Sequence, residues 1–258
     1  MPEVNKANRR VCDLLINILS NMKPFLKFDT ANVTTVGLSS DSVHAMAKGS
    51  RRIAFNNPLD GTMSVEAQVY PFKFFSLFSD GTIDNSATYA DTQTITCDTA
   101  GELSLKAVTG GTIDTGTVFA FPEDSFGDES KLITGTFVNN KFTAAADSTN
   151  KIEKDNTYTV GYVVNRTGVK KISFNNKKVP QDYFITMSTL DKDENGQWTP
   201  FVMTAYKATI QRNFELSFSS EGDPATVKAT FDLLEDKNGN VLDFIEMTED
   251  ETESTDTE

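Results

Sequence analysis

Hydrophobic and polar residues alternate most regularly along residues 62–70. Successive side chains of a strand point to opposite faces, so this alternation predicts a strand with its apolar set facing a core. The Asp60-Gly61 pair in front of it predicts a turn. The apolar set is Met63, Val65, Ala67 and Val69, and the polar set is Ser64, Glu66 and Gln68.

The pattern changes at Pro71, which suits the first turn of a helix because the N–H that proline lacks has no partner there. A short helix is predicted over Pro71–Ser79, ended by Asp80-Gly81. Apolar side chains surround it on nearly every side, and such a helix needs cover on more than one face. We therefore expect a second copy of the chain to cover part of it, with a subunit interface at Phe74, Phe75 and Phe78.

Residues 4–22 fit two patterns. Apolar residues recur there at helical spacing up to Pro24, but Val11, Asp13 and Leu15 also fit a strand. Periodicity alone does not separate the two, so helix and strand both remain open. In either case residues 1–24 are predicted to form an arm that precedes the main domain.

The middle of the chain differs from its flanks. Residues 84–157 are rich in Thr, Asp, Gly, Ala and Asn with short strand-like runs, which predicts a β-rich insertion that projects outward. The flanking parts, 25–83 and 158–245, are predicted to form one β domain. Residues 246–258 are almost entirely Glu, Asp, Ser and Thr, which predicts a disordered acidic tail.

The polar-faced strand, the short apolar helix closed by glycine and a later amphipathic hairpin over Asn213–Asp236 resemble the tail tube (major tail) proteins of long-tailed bacteriophages, a family shared with contractile injection systems. The resemblance covers residues 25–83 and 158–245. It implies a virion structural protein, assembled in the host cytoplasm, that forms stacked rings of six subunits whose inner wall is a continuous β-barrel. It also implies contacts with other tail proteins, and a lumen through which DNA passes without specific binding.

For the polar face of the 62–70 strand, the resemblance implies that Ser64, Glu66 and Gln68 line that lumen. A sheet with one solvated face is the simpler interpretation, because antiparallel sheets commonly have one. A mildly acidic lining would repel phosphates and keep DNA from adhering.

Composition independently favours a β-rich fold. Thr, Val, Ile and Phe are abundant, with 19 Phe among the 258 residues. The predicted fold class is mainly β: an antiparallel sandwich or barrel with a short flanking helix and a β-rich insertion. The net charge is −13, with seven acidic residues in 246–258, which argues against a surface that grips phosphates. Cys12 and Cys97 lie far apart and are expected to be free thiols. No run of residues is long and apolar enough for a membrane span.

No catalytic or cofactor motif appears, so we predict neither an enzyme nor a bound metal or cofactor. The Asp191–Gly196 segment begins like a calcium loop, but Val202 stands where the closing acid belongs, and a turn is the simpler interpretation. His44, the sole histidine, has no triad motif around it. The alternative function is a β-sandwich adhesin or carbohydrate-binding module, with Trp198 and Tyr206 as stacking residues.

Overall fold

The computed structural model describes residues 4–216, 221–222 and 224–247. This part of the chain is mainly β with antiparallel pairing, which confirms the predicted fold class. Of the two predicted architectures it is sandwich-like, since its sheets do not close into a barrel. Four 3-10 helices span Phe72–Phe78, Thr115–Thr117, Glu123–Ser125 and Glu129–Lys131. The strands are β1 (Lys6–Ala7), β2 (Asp13–Ile18), β3 (Pro24–Phe28), β4 (Val33–Ser39), β5 (Ser42–Ala47), β6 (Ser50–Asn56), β7 (Asp60–Ala67), β8 (Asp84–Thr96), β9 (Glu102–Ser104), β10 (Gly111–Ile113), β11 (Phe119–Pro122), β12 (Gly135–Val138), β13 (Lys141–Ala144), β14 (Thr157–Lys171), β15 (Asp182–Asp193), β16 (Trp198–Ile210), β17 (Val227–Leu234) and β18 (Leu242–Glu246).

The chain divides into two compact units. Unit 1 combines Met1–Thr82 with Ser173–Glu258, and unit 2 is Ile83–Ile172. Unit 2 begins next to the predicted start of the insertion but ends beyond the predicted residue 157. The reason is that β14 pairs with β8 from Thr157 to Lys171, so the whole of this long strand belongs to one sheet.

The main sheet of unit 1 has the strand order β3-β2-β15-β16-β17-β7-β4, with β1 also paired to β15 and β18 to β16. Strands β3 and β4 are its two edges, although only residues 29–32 separate them. Such a connection reaches at most about 17 Å. The sheet therefore curls until its two edges approach each other at that corner, where the Asn32 N–H donates to the Glu66 carbonyl at 2.7 Å.

The N-terminal segment is part of this sheet. Leu14 and Ile16 of β2 are 1% and 2% exposed and face Met187 and Ile185 across the pairing with β15. Residues 4–22 fit both a helix and a strand by periodicity. Because the edge of β15 supplies backbone hydrogen-bond partners for residues 13–18, these residues form a strand and not a helix. The expectation of an arm preceding the domain is therefore wrong, because β2 contributes to the core.

The helix at residues 72–78 ends where the sequence predicts. Gly81 has a φ of +80°, a conformation that glycine adopts without steric cost, and its N–H donates to the Ser76 carbonyl at 3.2 Å. Asp80 accepts hydrogen bonds from the Thr82 hydroxyl at 2.5 Å and from Lys178 at 3.0 Å. The Thr82 hydrogen bonds and Lys178 lower the pKa of Asp80 to about 2.

Unit 2 holds a second apolar core between two small sheets. One contains β10, β14, β11 and β8, and the other contains β12, β13 and β9. Leu103, Ile133 and Phe142 are fully buried between them. Unit 2 thus has a core of its own.

Candidate assembly surfaces

Strand β7 has one fully buried face. Met63, Val65 and Ala67 are 0%, 2% and 0% exposed, as the alternation predicts. Their cross-strand partners on β17 are Phe231, Ala229 and Val227, which are equally buried. Because directly opposed residues share a face of the sheet, the two strands form one apolar wall of the core.

The opposite face of the same strand pair is polar. Ser64 faces Thr230, and Glu66 faces Lys228. The Glu66 carboxylate and the Lys228 ammonium lie 2.8 Å apart, with their side chains 32% and 57% exposed. Asp232, further along β17, accepts a hydrogen bond from the Gln211 amide at 2.7 Å. The face is therefore polar throughout, and its central charges neutralise each other.

The alternation stops earlier than the sequence indicates. Strand β7 ends at Ala67, and Val69, predicted to face the core, is 68% exposed. Ala67 faces Val227, the first residue of β17, so the chain beyond it has no ladder partner. Gln68 lies outside the strand and donates to the Pro224 carbonyl at 3.4 Å.

The three phenylalanines of the helix share one core, contrary to expectation. Phe74 and Phe78 are 2% and 1% exposed. Phe214 lies 4.7 Å from Phe78 and 6.1 Å from Phe75, measured between ring centroids, and packs against this core. Part of the cover that the sequence predicts from a second copy thus comes from Phe214 of the same chain. The interface role of the three residues remains a prediction, and Phe72, 44% exposed, is the most accessible ring of the helix.

Among the described residues of Asn213–Asp236, only the second half of the predicted amphipathic hairpin is a strand. Strand β17 forms that half, while residues 213–216 adopt no regular structure. Residues 217–220 and 223 lie outside the described residues. Phe214 turns toward the core, because the aromatic cluster around Phe78 accepts its ring.

A separate hairpin, β5–β6, was not singled out by sequence reasoning beyond the turn at Ala47–Ser50. It forms a two-stranded sheet of its own, and every residue of β6 is exposed. The sequence signal that could have predicted this hairpin is a set of apolar residues at matching distances on either side of the Lys48-Gly49 turn. Val43 pairs with Phe55, and Ala45 pairs with Ile53. Exposed apolar surface of this kind marks an interaction site.

The main sheet also has unpaired edges. Strands β3, β4 and β18 each pair with one neighbour within the described part of the chain. Phe244 on β18 is 61% exposed and Ile245 42%. An exposed apolar edge strand is a template for pairing with another chain.

The acidic loops are turns. Asp193 accepts a hydrogen bond from the Gln197 N–H at 2.7 Å, and Asp236 accepts from the Asn240 N–H at 2.8 Å. Among the described residues, no group of three or more His, Cys, Asp or Glu could hold a metal ion. Cys12 and Cys97 are buried free thiols, and burial raises the pKa of Cys12.

The aromatic residues of the alternative binding function do not form one site. Trp198 and Tyr206 lie on the same strand eight positions apart, which corresponds to about 26 Å. Arg10 lies over the Trp198 ring at 4.5 Å, and the Tyr206 hydroxyl donates to Asp243 at 2.5 Å. One sugar ring cannot stack on both.

The described part of the chain has a two-faced sheet with unpaired edges and a hairpin with exposed apolar side chains, features typical of proteins that associate with further chains. Residues 9–247 match the YomU/Tube protein family, so the chain belongs to that family. The family name indicates a structural protein of the phage tube type. No curated protein matches the chain. In the part of the chain that the structure describes, no helix has the length and apolar character required to cross a membrane.

Proposed function

We propose that this protein is the major tail tube subunit of a long-tailed phage. In this proposal it polymerises as stacked rings of six copies, contacts other tail proteins and forms the channel for DNA delivery in the virion tail. Assembly takes place in the host cytoplasm. Unit 1, in place of the predicted β domain of residues 25–83 and 158–245, forms the ring, and unit 2 takes the place of the insertion predicted over residues 84–157.

The observation that carries this proposal is the two-faced pair of β7 and β17. One face is sealed in the core by Met63, Val65 and Ala67, and the other carries Ser64, Thr230 and the Glu66–Lys228 pair. A wall between a core and a water-filled channel needs these two faces. In the ring, Ser64, Glu66 and Gln68 face the lumen.

The charge of the polar face suits a channel that DNA must leave quickly. Phosphate binding requires cations that are free to neutralise it. Lys228 is engaged by Glu66, and Asp232 adds a further carboxylate to the face. The polar face therefore offers few free cations to bind phosphate, and DNA passes without specific binding.

Self-association is supported by the surfaces that one chain leaves open. The edges β3, β4 and β18 have unused backbone groups, and ring closure would pair them. Phe72 and the partly buried Phe75 are the parts of the helix that a neighbour could contact, while Phe74 and Phe78 would support them from within.

Electron microscopy of the purified protein over a range of concentrations tests the proposal. Rings or tubes with an axial hole are the expected result, and class averages give the number of subunits. Isolated globules at every concentration, together with a monomer mass by light scattering, would contradict it.

A further inference from the structure

The β5–β6 hairpin has an apolar face that none of the described residues of unit 1 covers. Val43, Ile53 and Phe55 on this face are 60%, 56% and 57% exposed. A two-stranded hairpin alone is marginally stable in water, and stable examples pack against something else. Lys48 and Gly49 both have positive φ, at 48° and 79°, which is the geometry of a tight type I′ turn. The hairpin is thus a defined structure without a partner in the described part of the chain.

The tip of the hairpin carries unpaired positive charge. Lys48, Arg51 and Arg52 take part in none of the ion pairs found among the described residues. Asp41 is the one acidic residue between residues 40 and 57, in a chain whose net charge is −13. The hairpin is therefore a local cation on an acidic protein, and an acidic surface is its natural complement.

A groove of about 1110 Å³ in unit 1 has the matching character. Apolar side chains including Leu59 and Leu234 line it, 53% and 42% exposed. Asp60 and Glu235 also line it and belong to none of the ion pairs of the described residues. Two cations also line the groove: Lys207 lies 3.8 Å from Asp182, and Lys237 belongs to none of the ion pairs found among the described residues. Four acidic residues of the lining, which include Asp182 and Asp236, outnumber these two cations.

The hairpin and the groove lie at the same end of the main sheet. The chain leaves the sheet after Ser39, builds the hairpin and returns at Asp60, which itself lines the groove. In a ring with rotational symmetry, this end of every copy lies at the same level along the axis. A strand of six residues reaches about 20 Å, enough to extend over a neighbouring subunit.

We propose that the β5–β6 hairpin of one subunit docks into the Asp60–Glu235 groove of the next subunit in the same ring. The apolar face covers Leu59 and Leu234, and the three cations at the tip meet the two unpaired carboxylates. The contact is heterologous, so each copy gives one hairpin and receives one, and rotation closes the ring. This inference rests on the proposed ring assembly and specifies which surfaces form it.

Charge reversal tests the contact. Lys48→Glu/Arg51→Glu/Arg52→Glu and, separately, Asp60→Lys/Glu235→Lys are each expected to raise the protein concentration needed for ring formation by about tenfold or more. Combining both sets should restore assembly toward the wild-type concentration. The matched control is Lys106→Glu/Lys154→Glu/Lys177→Glu, which makes the same charge change at exposed lysines outside the hairpin and should leave assembly near wild type. Thermal unfolding confirms that each variant folds.

Disulfide trapping identifies the partner. A chain carrying Phe55→Cys and Leu234→Cys should, on oxidation of assembled rings, give a ladder that stops at the subunit number of one ring. A ladder without limit would place the contact between rings and overturn the inference. Equal assembly of the hairpin reversal and the control, with wild-type rings present, would also overturn it and leave the proposed function standing. Absence of rings in the wild type would refute the proposed function itself.

Discussion

Replacing Glu66 by lysine tests the lumen assignment directly. Glu66 pairs with Lys228 at 2.8 Å, with side chains 32% and 57% exposed, so losing the pair costs about 0.2–1 kcal/mol. Placing two cations opposite each other on neighbouring strands adds a penalty of about the same size. Both are small beside a domain stability of about 5–15 kcal/mol. Glu66→Lys should therefore fold and assemble.

The effect on the channel is larger, because it repeats in every subunit. The Glu66–Lys228 pair sums to zero in the wild type and to two positive charges in the variant. A ring of six then gains about twelve charges that phosphate can neutralise, and each neutralised phosphate makes DNA binding dependent on salt. Because these contacts add along stacked rings, we expect slow or incomplete DNA ejection at low salt and recovery as salt rises.

Ejection measured by a DNA-binding dye after receptor triggering provides the assay. The matched control is Glu66→Lys/Lys228→Glu, which inverts the pair and returns the face to its original charge. This control should eject normally. Wild-type ejection by Glu66→Lys particles at low ionic strength, with normal tails in the microscope, would refute the lumen assignment of β7.

Four further results are expected. Phe78→Asp should unfold unit 1 by circular dichroism because it buries an unpaired charge at a cost of several kcal/mol, whereas Phe72→Asp, at a ring 44% exposed, should fold. The pKa of Asp80 is lowered to about 2, so the stability that its ionised form contributes is complete above about pH 4 and is lost as the pH falls toward 2. The difference in urea midpoint between wild type and Asp80→Asn should therefore shrink as the pH falls through this window. Calcium and EDTA should each leave the thermal midpoint unchanged, because Val202 replaces the closing acid of a calcium loop, and a rise with calcium would contradict this. Deleting the residues from Glu249 onward, which lie outside the described part of the chain, should also leave the midpoint unchanged because they bring little apolar surface; a fall of more than a few degrees would count against it.

The features that could be predicted from the sequence are those that local chemistry determines. The alternation along β7 fixes which side chains enter the core, and the turn in Asp191–Gly196 follows from residues that adopt turn geometry at low cost. The end of the helix at Gly81 has the same local origin. Each of these needs only neighbouring residues in the chain. The turn predicted at Asp60-Gly61 is wrong, because both residues begin β7, where Gly61 pairs with Leu233 and Leu38.

The features that could not be predicted depend on partners distant in sequence. Phe214 covers Phe78 from more than a hundred residues away, so a helix that looks too apolar for one core is covered within it. The choice of strand over helix near Leu14 depends on the edge of β15. The extent of β14 depends on its pairing with β8. Contacts between segments that are distant in sequence leave no periodic pattern in either segment, so periodicity does not predict them.

The candidate surfaces also depend on residues that are distant in sequence, and this dependence bears on how the proposed assembly is controlled. The groove and the hairpin each look unremarkable in sequence, since their charges and apolar residues are few. Their significance lies in cations and carboxylates that take part in none of the ion pairs of the described residues. No residue of the hairpin lines the groove of its own chain, so in the proposed assembly these groups meet only when a second copy arrives. The net charge of −13 opposes that encounter, while the positive tip of the hairpin favours one orientation of it. In the proposed ring, a local attraction within a general repulsion would therefore favour the ordered contact over random aggregation through exposed strand edges.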